Sequence, residues 1–393
     1  MSQLKLTRLF EEFFHSEKAG GLILMACTAF SLVLANSTWS EGYQHLWHMP
    51  LASKPLEFWI NDGLMTIFFL LVGLEIEREI YVGEFSDVRK AMLPILAALG
   101  GMFVPAAIHF ALNRGTDYQS GFGIPMATDI AFSLGILSLL GSRVPPMLKV
   151  FLTALAIIDD LGAILIIAIF YSEGLVWLYL VLSFVVFGTM LILNRMQANQ
   201  IWVYLVLGIV LWYCLYQTGV HPTITGVLLA FALPFRDGGE QSPSYRLQHI
   251  LHKPVAFLIL PVFALANTAI PVSSDIFQSM LNTNHLGIAG GLVIGKPLGI
   301  LLFSVTGIAL GWCALPEGVK TTHLLGAGML AGIGFTMSIF ITLLAFADPV
   351  VINHAKVAVL LASLIAGLLG FLWLRLILPE QGKETLMPEA SGH

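Results

Sequence analysis

The sequence predicts an all-α polytopic membrane protein, and three observations lead to that fold class. Of the 393 residues, 57% are hydrophobic and 11% are charged, whereas a soluble protein carries about 25% charged residues. Long apolar segments follow one another along the whole chain, and its basic residues are unevenly shared between the two sides of the resulting topology. The composition therefore indicates a chain surrounded by membrane lipid, with no nucleic-acid partner and no soluble domain.

Twelve apolar segments are predicted, and each is a candidate transmembrane helix. They fall at residues 20–36, 58–80, 91–112, 121–140, 148–171, 175–194, 201–218, 221–235, 254–271, 286–312, 323–347 and 354–378. An even number places both termini on one side. With the termini inside, fifteen of the 19 Lys and Arg residues are cytoplasmic, and three (Lys54, Arg114 and Lys356) are outside. This bias predicts cytoplasmic N- and C-termini.

We expect residues 1–393 to form a single membrane domain with three accessory stretches. Residues 1–19 have hydrophobic positions at helical spacing, which predicts either an amphipathic cytoplasmic helix on the membrane or a helical extension of the first segment. Residues 37–57 form an external loop that is either an aromatic interfacial belt or a small hairpin for dimer contact. Residues 379–393 are polar, which predicts a flexible cytoplasmic tail.

Helix-breaking residues interrupt the fourth and eleventh segments at corresponding places. The fourth reads GFGIPMATDIAFSLGILSLL, with Pro125 shortly before Asp129, and the eleventh reads LLGAGMLAGIGFTMSIFITLL, with a cluster of glycines. The two segments are seven apart and therefore cross the membrane in opposite directions. Interrupted segments in two inverted halves are typical of transporter binding sites. We therefore predict inverted repeats whose two discontinuous helices cross at mid-membrane.

Two adjacent carboxylates stand in the middle of the fifth segment. Asp159 and Asp160 are the only charged residues between Val150 and Ser172, and each costs about 2.5–3.5 kcal/mol to insert at a helix centre. Neighbouring side chains on a helix diverge by about 100°, so the pair cannot grip one ion from a single face. The cost predicts a functional site, with a buried but merely structural acid as the less favoured alternative.

Two further charges are predicted inside the membrane. Asp129, beside Thr128, follows the break in the fourth segment, where it either compensates a half-helix dipole or contacts an ion directly. Lys296 lies in the tenth segment, where Pro297 predicts a local kink because it biases the preceding backbone away from the α region. The candidate partners of Lys296 are Asp159, Asp160 and the half-helix C-termini.

These residue types favour exchange of a monovalent cation for protons. Na⁺ and Li⁺ are hard cations that prefer oxygen ligands, and repulsion together with desolvation favours protonation of at least one carboxyl in a close pair. A site that holds either protons or a cation, combined with alternating access, is an exchange site. Two protons released per cation would make the cycle electrogenic. No cofactor is expected beyond the transported Na⁺, Li⁺ and H⁺.

Three other functions are less consistent with the sequence. A transporter of small organic anions would need more mid-membrane positive charge than Lys296 supplies. An intramembrane aspartyl protease needs aspartates on two helices and a GxGD motif, and the sequence contains neither GxGD nor HExxH. A passive channel fits broken helices and a buried lysine less well than a closed, alternating site. An enzyme is therefore not expected.

Five motifs are spread over nearly the whole length of the chain: FFLLVGLEIERE, ATDIAFSLGILSLLGSRVP, LTALAIIDDLGAILIIAIFY, VIGKPLG and GIGFTMSIFI. In these motifs the sequence resembles the NhaA family of bacterial Na⁺/H⁺ antiporters. The resemblance implies a pH-regulated antiporter of the bacterial inner membrane that serves sodium and pH homeostasis. It also implies a homodimer formed through loop 37–57.

The resemblance also assigns roles to individual residues. Asp160 becomes the principal Na⁺ ligand, and Asp159 becomes a second Na⁺-site carboxylate that carries a proton and pairs with Lys296. The cation cavity is then expected to be bounded by Thr128 and Asp129, at the crossing of the fourth and eleventh segments.

A pH-sensing group is implied as well, mostly at the cytoplasmic mouth. Its members are Glu75, Arg78, Glu79, His249 and His252, with His221 at another pH-linked position. This chain departs from the family pattern at Glu77, Tyr245 and Gln248, where basic or acidic residues are common. These departures affect the expected pH profile and leave the transport residues intact.

Overall fold

The computed structural model describes residues 8–83, 88–172, 174–272 and 281–378, without the side chains of residues 8–18 and 88–90. Within these ranges the regular structure is helical apart from one hairpin of two-residue strands, which confirms the predicted all-α class. The expected flexible tail 379–393 and the first seven residues of the expected amphipathic stretch lie outside the described residues.

Among the described residues, sixteen α-helices are longer than one turn. Their bounds are α1 Arg8–Ala35, α2 Ser40–His48, α3 Met65–Tyr81, α4 Val88–Asn113, α5 Ile130–Leu139, α6 Pro146–Phe170, α7 Trp177–Arg195, α8 Ile201–Thr218, α9 Ile224–Ala232, α10 Pro243–Pro254, α11 Leu260–Asn267, α12 Thr283–Gly290, α13 Lys296–Ala309, α14 Thr321–Ala331, α15 Phe335–Ala345 and α16 Pro349–Ile377. Loop 37–57 contains α2 and the antiparallel strands β1 Pro50–Leu51 and β2 Lys54–Pro55.

Helices of other pitch connect several of these elements. A 3₁₀ helix, Gln119–Met126, precedes α5, and π-helical stretches at Trp59–Leu64, Val255–Ile259 and Gly291–Gly295 precede α3, α11 and α13. π-helical turns are rare and occur frequently at functional sites. Each of these three lies directly before a helix that carries a polar residue discussed below.

The membrane spans are close to the prediction in number. Among the described residues, nine helices are long and apolar enough to cross a membrane, or eleven if two bent helix pairs each count as one span. The eighth predicted segment, 221–235, differs because α9 has only nine residues, about 14 Å of helix. Leu233 is extended before Pro234, which ends the helix there because a residue before proline disfavours the α region.

Two local predictions at helix ends have different outcomes. Helix α1 begins at Arg8 and runs without a break to Ala35, which corresponds to the helical-extension alternative for the N-terminal stretch. The predicted loss of α geometry at Lys296 is wrong, because its φ and ψ are −67° and −52°. The irregularity falls one turn earlier, in the π-helical stretch 291–295. A widened turn there accommodates the ring of Pro297, which has no N–H to donate.

The described helices pack as two bodies. The core body consists of α4, the 3₁₀ helix with α5, α6, and α12 to α16, and the flanking body consists of α3 and α7 to α11, while α1 packs against both. In the core body α4 and α13 approach so closely that a Cβ at Gly100 or Gly299 would overlap the other's carbonyl group. Every ionisable residue predicted for the transport site lies in the core body.

The molecule has two ends that differ in structure. The hairpin side is the end that carries loop 37–57 and the Trp59–Leu64 stretch. The mouth side is the end that carries the last turn of α3 at Tyr81 and the start of α10 at Pro243.

Candidate functional site

The two helix breaks meet inside the core body. The first break is the extended linker 127–129 between the 3₁₀ helix and α5. The second is the linker 332–334 between α14 and α15, and the axes of these two helices differ by 49°. The backbone N–H of Asp129 donates to the carbonyl oxygen of Ile333 at 2.7 Å. Ser133 donates to the carbonyl of Leu330 at 3.0 Å, and Ser338 to that of Ile124 at 2.6 Å. The broken segments thus satisfy each other's freed backbone groups, as a membrane interior requires.

Asp129 caps both half-helices that begin at the crossing. Its Oδ1 accepts from the N–H of Phe132 in the first turn of α5 at 2.9 Å. Its Oδ2 accepts from the N–H and the hydroxyl of Thr336 in the first turn of α15, at 3.1 and 2.5 Å. A helix N-terminus carries about half a positive charge, so one carboxylate compensates two helix dipoles. This geometry corresponds to the electrostatic alternative for Asp129.

Asp159 belongs to a buried polar cluster in the core body, although its Oδ1 has no hydrogen-bond partner among the described residues. Its Oδ2 lies 2.9 Å from the Lys296 Nζ and 2.6 Å from the Thr128 hydroxyl, and all three side chains are fully buried. Lys296 also donates to the carbonyl oxygen of Met126, the last residue of the 3₁₀ helix. The Thr128 hydroxyl lies 2.9 Å from the carbonyl of Ala331, so its single proton serves one acceptor at a time. The ion pair is therefore held by both broken segments.

Asp160 has a different environment from its neighbour. It is fully buried, and neither of its carboxylate oxygens has a hydrogen-bond partner among the described residues. The divergence of about 100° along α6 places it on the face away from the Lys296 pair. A buried carboxylate without a partner is costly, so this side chain is suited to take up a proton or a cation.

A cavity between the core and flanking bodies leads to Asp160. Asp160, Asp129 and Thr336 line its inner end, and Glu75 on α3 and His252 on α10 also line it. Thr128 and Asp159 are not among its lining residues. The expectation that Thr128 bounds the cation cavity is therefore corrected, because its hydroxyl is directed to Asp159 and Thr336 takes its place. Asp129 bounds the cavity as expected.

The predicted mouth residues come together at the junction of α3 and α10. The Arg78 guanidinium lies 5.1 Å above the Tyr245 ring, which stacks on His249 with 6.4 Å between ring centroids. Glu79 lies on α3 at this end of the molecule. Tyr245, a departure from the family pattern, thus joins two of the mouth residues through its ring.

Glu77, another departure from the family pattern, is buried at the same junction. Its Oε2 accepts from the Ser244 hydroxyl at 2.9 Å, in the first turn of α10. A carboxylate near a helix N-terminus is favourable, which explains why an acid is accommodated where a basic residue is common.

His221 does not belong to the mouth cluster. Its Nδ1 is 2.7 Å from the Thr223 hydroxyl and its Nε2 is 3.6 Å from Asp62 Oδ1, on the hairpin side. Asp62 precedes Glu75 by thirteen residues, which corresponds to about 20 Å along a helix. His221 therefore lies at a position of its own, apart from Glu75, Arg78, Glu79, His249 and His252.

Several residues of the site were not anticipated from the sequence. Thr336 was hidden in the GIGFTMSIF run, although a hydroxyl residue two positions after a helix-breaking glycine is a usual capping signal. Phe340 on α15 packs against Phe69 and Phe263 of the flanking body, with ring centroids 5.4 and 6.4 Å apart. No pattern within α15 distinguishes this phenylalanine from an ordinary lipid-facing one.

Comparison with known proteins gives one consistent result. Residues 11–374 match the model of the family described as Na⁺/H⁺ antiporter 1. The Na⁺/H⁺ antiporter NhaA of Flavobacterium psychrophilum is 58% identical over 375 residues, covering 95% of this chain and 98% of its own. The corresponding antiporter of Cytophaga hutchinsonii is 55% identical over 98% of this chain and all of its own, and that of Vibrio cholerae is 46% identical over 95% and 99%.

The fold and site define a multi-pass secondary transporter with a discontinuous helix pair and a buried carboxylate at the end of a cavity. The chain belongs to the NhaA family of bacterial Na⁺/H⁺ antiporters. That family is itself an established example of inverted-repeat transporters whose sites lie at broken helices.

Proposed function

We propose that the protein exports Na⁺ or Li⁺ in electrogenic exchange for more than one proton, by alternating access to Asp160. The observation that carries this proposal is the contrast on α6, where Asp160 is buried without a described partner while Asp159 is ion-paired with Lys296. The Asp160 carboxylate is thereby available to a cation. The Asp159–Lys296 ion pair, which can also release a proton, involves the neighbouring residue of the same helix turn.

The proposed cycle follows from charge balance at the two aspartates. When a cation enters the cavity past Glu75 and His252, it binds the Asp160 carboxylate and displaces its proton. The bound cation also attracts the Asp159 carboxylate and thereby weakens its pairing with the Lys296 ammonium, which favours loss of a second proton from the Asp159–Lys296 pair. Two protons then return for each cation exported. No resident cofactor takes part, since the only non-protein species in the cycle are the transported ions.

Regulation by pH is proposed for the mouth side. Glu75 and His252 line the cavity, and Arg78 and His249 are joined through Tyr245, so changes of charge there alter the entry path for a cation. Glu79 lies on the same helix at the same end. His221 is proposed to act separately with Asp62 on the hairpin side.

The membrane arrangement completes the proposal. We place the mouth side in the cytoplasm of a bacterial inner membrane, as the distribution of basic residues favours, and the hairpin side outside. The β1–β2 hairpin is proposed to contact a second copy of the chain, which makes the transporter a homodimer. Its role in the cell is then sodium and pH homeostasis.

A liposome assay tests the exchange reaction. The protein is reconstituted with an imposed pH gradient, Na⁺, Li⁺ or K⁺ is added, and the gradient is followed with a fluorescent reporter. Na⁺ and Li⁺ should collapse the gradient, and Asp160→Asn should abolish this response. Asp348→Asn is the matched control, because Asp348 caps α16 at the Val350 N–H away from the cavity and should leave exchange intact.

The same preparation tests electrogenicity. An imposed membrane potential should alter the initial rate if more than one proton moves per cation, and a rate indifferent to the potential would rule out the unequal count. Absence of any cation-dependent collapse would remove the antiporter proposal altogether.

A further inference from the structure

A buried lysine on the hairpin side is not part of the ion-binding site. Lys356 lies in the second turn of α16, about 10 Å from the start of that helix, and is 8% exposed. The sequence assigns it to the external end of the twelfth segment, whereas the structure directs it inward. Its Nζ donates to the Asn267 Oδ1 at 3.3 Å. Because α16 belongs to the core body and Asn267 ends α11, this hydrogen bond crosses the boundary between the two bodies.

Asn267 extends the contact into the flanking body. Its Nδ2 donates to the Asn61 Oδ1 at 2.7 Å and to the carbonyl oxygen of Phe263 at 3.1 Å. The amide therefore offers its oxygen to the lysine and its nitrogen to the π-helical stretch before α3. A continuous chain of hydrogen bonds joins Lys356 to Asn61 across the boundary.

Aromatic rings close the same side of the boundary. Phe340 of the core body contacts Phe69, Phe263 and the His221 ring of the flanking body, with centroids 5.4, 6.4 and 5.5 Å apart. On the mouth side the same boundary contains the cavity that leads to Asp160. The two bodies are thus closed against each other at one end and parted at the other.

The hydrogen bond between Lys356 and Asn267 is of a kind that can form and break during a transport cycle. A buried ammonium is expensive, and a neutral amide compensates it less well than a carboxylate does. In alternating access one bundle rocks against another around the bound ion, so contacts across this boundary must form and break in each cycle. A 3.3 Å bond to a neutral acceptor is strong enough to bias the equilibrium and weak enough to open.

We propose that Lys356 and Asn267 form a latch that holds the two bodies together on the hairpin side and stabilises the state in which the Asp160 cavity is open to the mouth side. Lys356 is a positioning residue, since it contacts no transported ion. The inference rests on the proposed exchange cycle, and it names the contact that sets the balance between the two states of that cycle.

The latch is tested by weakening and strengthening it. The native cysteines (Cys27, Cys214 and Cys313) are first replaced by serine. A single cysteine is then introduced by Ile130→Cys, at a position that lines the cavity. The rate at which a water-soluble maleimide alkylates this cysteine is measured in detergent without Na⁺. Lys356→Met should slow alkylation on the order of tenfold, the shift expected for losing a hydrogen bond to a charged group. Asn267→Asp should leave alkylation fast but lower the maximal exchange rate, because an ion pair opens more slowly.

The control breaks a similar contact within one body. Asn284 Oδ1 lies 3.0 Å from the His109 Nε2, buried between α4 and α12 of the core body. Asn284→Ala should lower thermal stability and leave the alkylation rate unchanged. Equal alkylation in Lys356→Met and the parent would overturn the latch, as would an equal change in Asn284→Ala.

The two proposals fail in different ways. If the Lys356→Met variant does not fold, the Asn267→Asp variant still tests the latch. An unaltered maximal exchange rate in Asn267→Asp also contradicts the latch. A protein without cation-dependent proton flux refutes the exchange cycle, whereas normal flux with unshifted alkylation refutes only the latch.

Discussion

The two faces of α6 place neighbouring aspartates in opposite surroundings. On one face, Asp159 is enclosed by Lys296 and Thr128, all contributed by the core body. On the other, Asp160 lies at the boundary between the bodies and at the end of a cavity that also reaches Glu75. Both carboxylates are fully buried, so burial alone does not distinguish them.

The difference shows that α6 assigns two roles to two neighbouring residues. One carboxylate stabilises the crossing of the broken segments, and the other is available to bind an ion. A carboxylate that is already ion-paired stabilises the crossing of the broken segments, and a cation must compete with the ammonium for it. An unpaired one destabilises the fold yet is ready for an ion. Substitutions on the two faces should therefore affect different measurements.

The largest expected effect is on transport and follows removal of the Asp160 charge. Asp160→Asn should reduce exchange to about one-hundredth or less, since losing a buried charged partner costs about 3–5 kcal/mol. Its melting temperature in detergent should not fall, because no described hydrogen bond is lost. A clear loss of stability with retained exchange would reverse the roles given to the two faces.

The next effect is on stability and follows removal of Lys296. Lys296→Met should destabilise the fold by about 3–4 kcal/mol, because it leaves Asp159 charged and buried without its partner. Adding Asp159→Asn to this variant should restore part of the loss, as a double-mutant cycle of thermal unfolding would measure. Strict additivity of the two changes would contradict a coupled pair.

A smaller loss is expected at the shared cap. Asp129→Asn keeps one acceptor oxygen but brings an NH₂ group toward an N–H donor, so one half-helix start loses its cap. We expect about 1–3 kcal/mol of lost stability and a reduced but measurable exchange rate. If exchange instead falls as far as in Asp160→Asn, Asp129 is a direct ion ligand and the electrostatic interpretation is wrong.

The smallest effect should come from Thr128. Thr128→Val removes the hydroxyl next to Asp159 and should cost about 1 kcal/mol of stability, whereas Thr128→Ser should cost less because it keeps the hydroxyl. The apparent KM for Na⁺ should change little in both variants, because this side chain does not line the cavity. A KM raised tenfold in the valine variant would return Thr128 to the cation site.

Much of this site could be predicted from the sequence because intramembrane charges are few. The cost of Asp159 and Asp160 in an apolar helix predicts a functional site, and their angular divergence predicts that the two side chains do not share one face. The breaks near Asp129 and in the glycine cluster were visible from helix-breaking residues. The NhaA resemblance, confirmed by the comparisons, then distinguished the two aspartates.

Other features depend on tertiary contacts that no local pattern encodes. The carbonyl oxygen of Met126 meets Lys296 only because the 3₁₀ helix packs against the π-helical stretch Gly291–Gly295 that leads into α13. The side-chain direction of Lys356 is similar: a lysine near a helix end normally reaches toward water, whereas this one is directed inward to Asn267 at the end of α11. The distance between His221 and the mouth cluster likewise required the placement of α9.

The central claim, that Asp160 holds a proton or a cation in turn, is tested most directly by counting protons at equilibrium. Na⁺ is added to the purified protein in weakly buffered detergent solution, and the pH change is recorded against an equal addition of choline. The account predicts proton release by the parent chain and none by Asp160→Asn, with Asp348→Asn releasing as much as the parent. Equal release from Asp160→Asn and the parent would contradict the account.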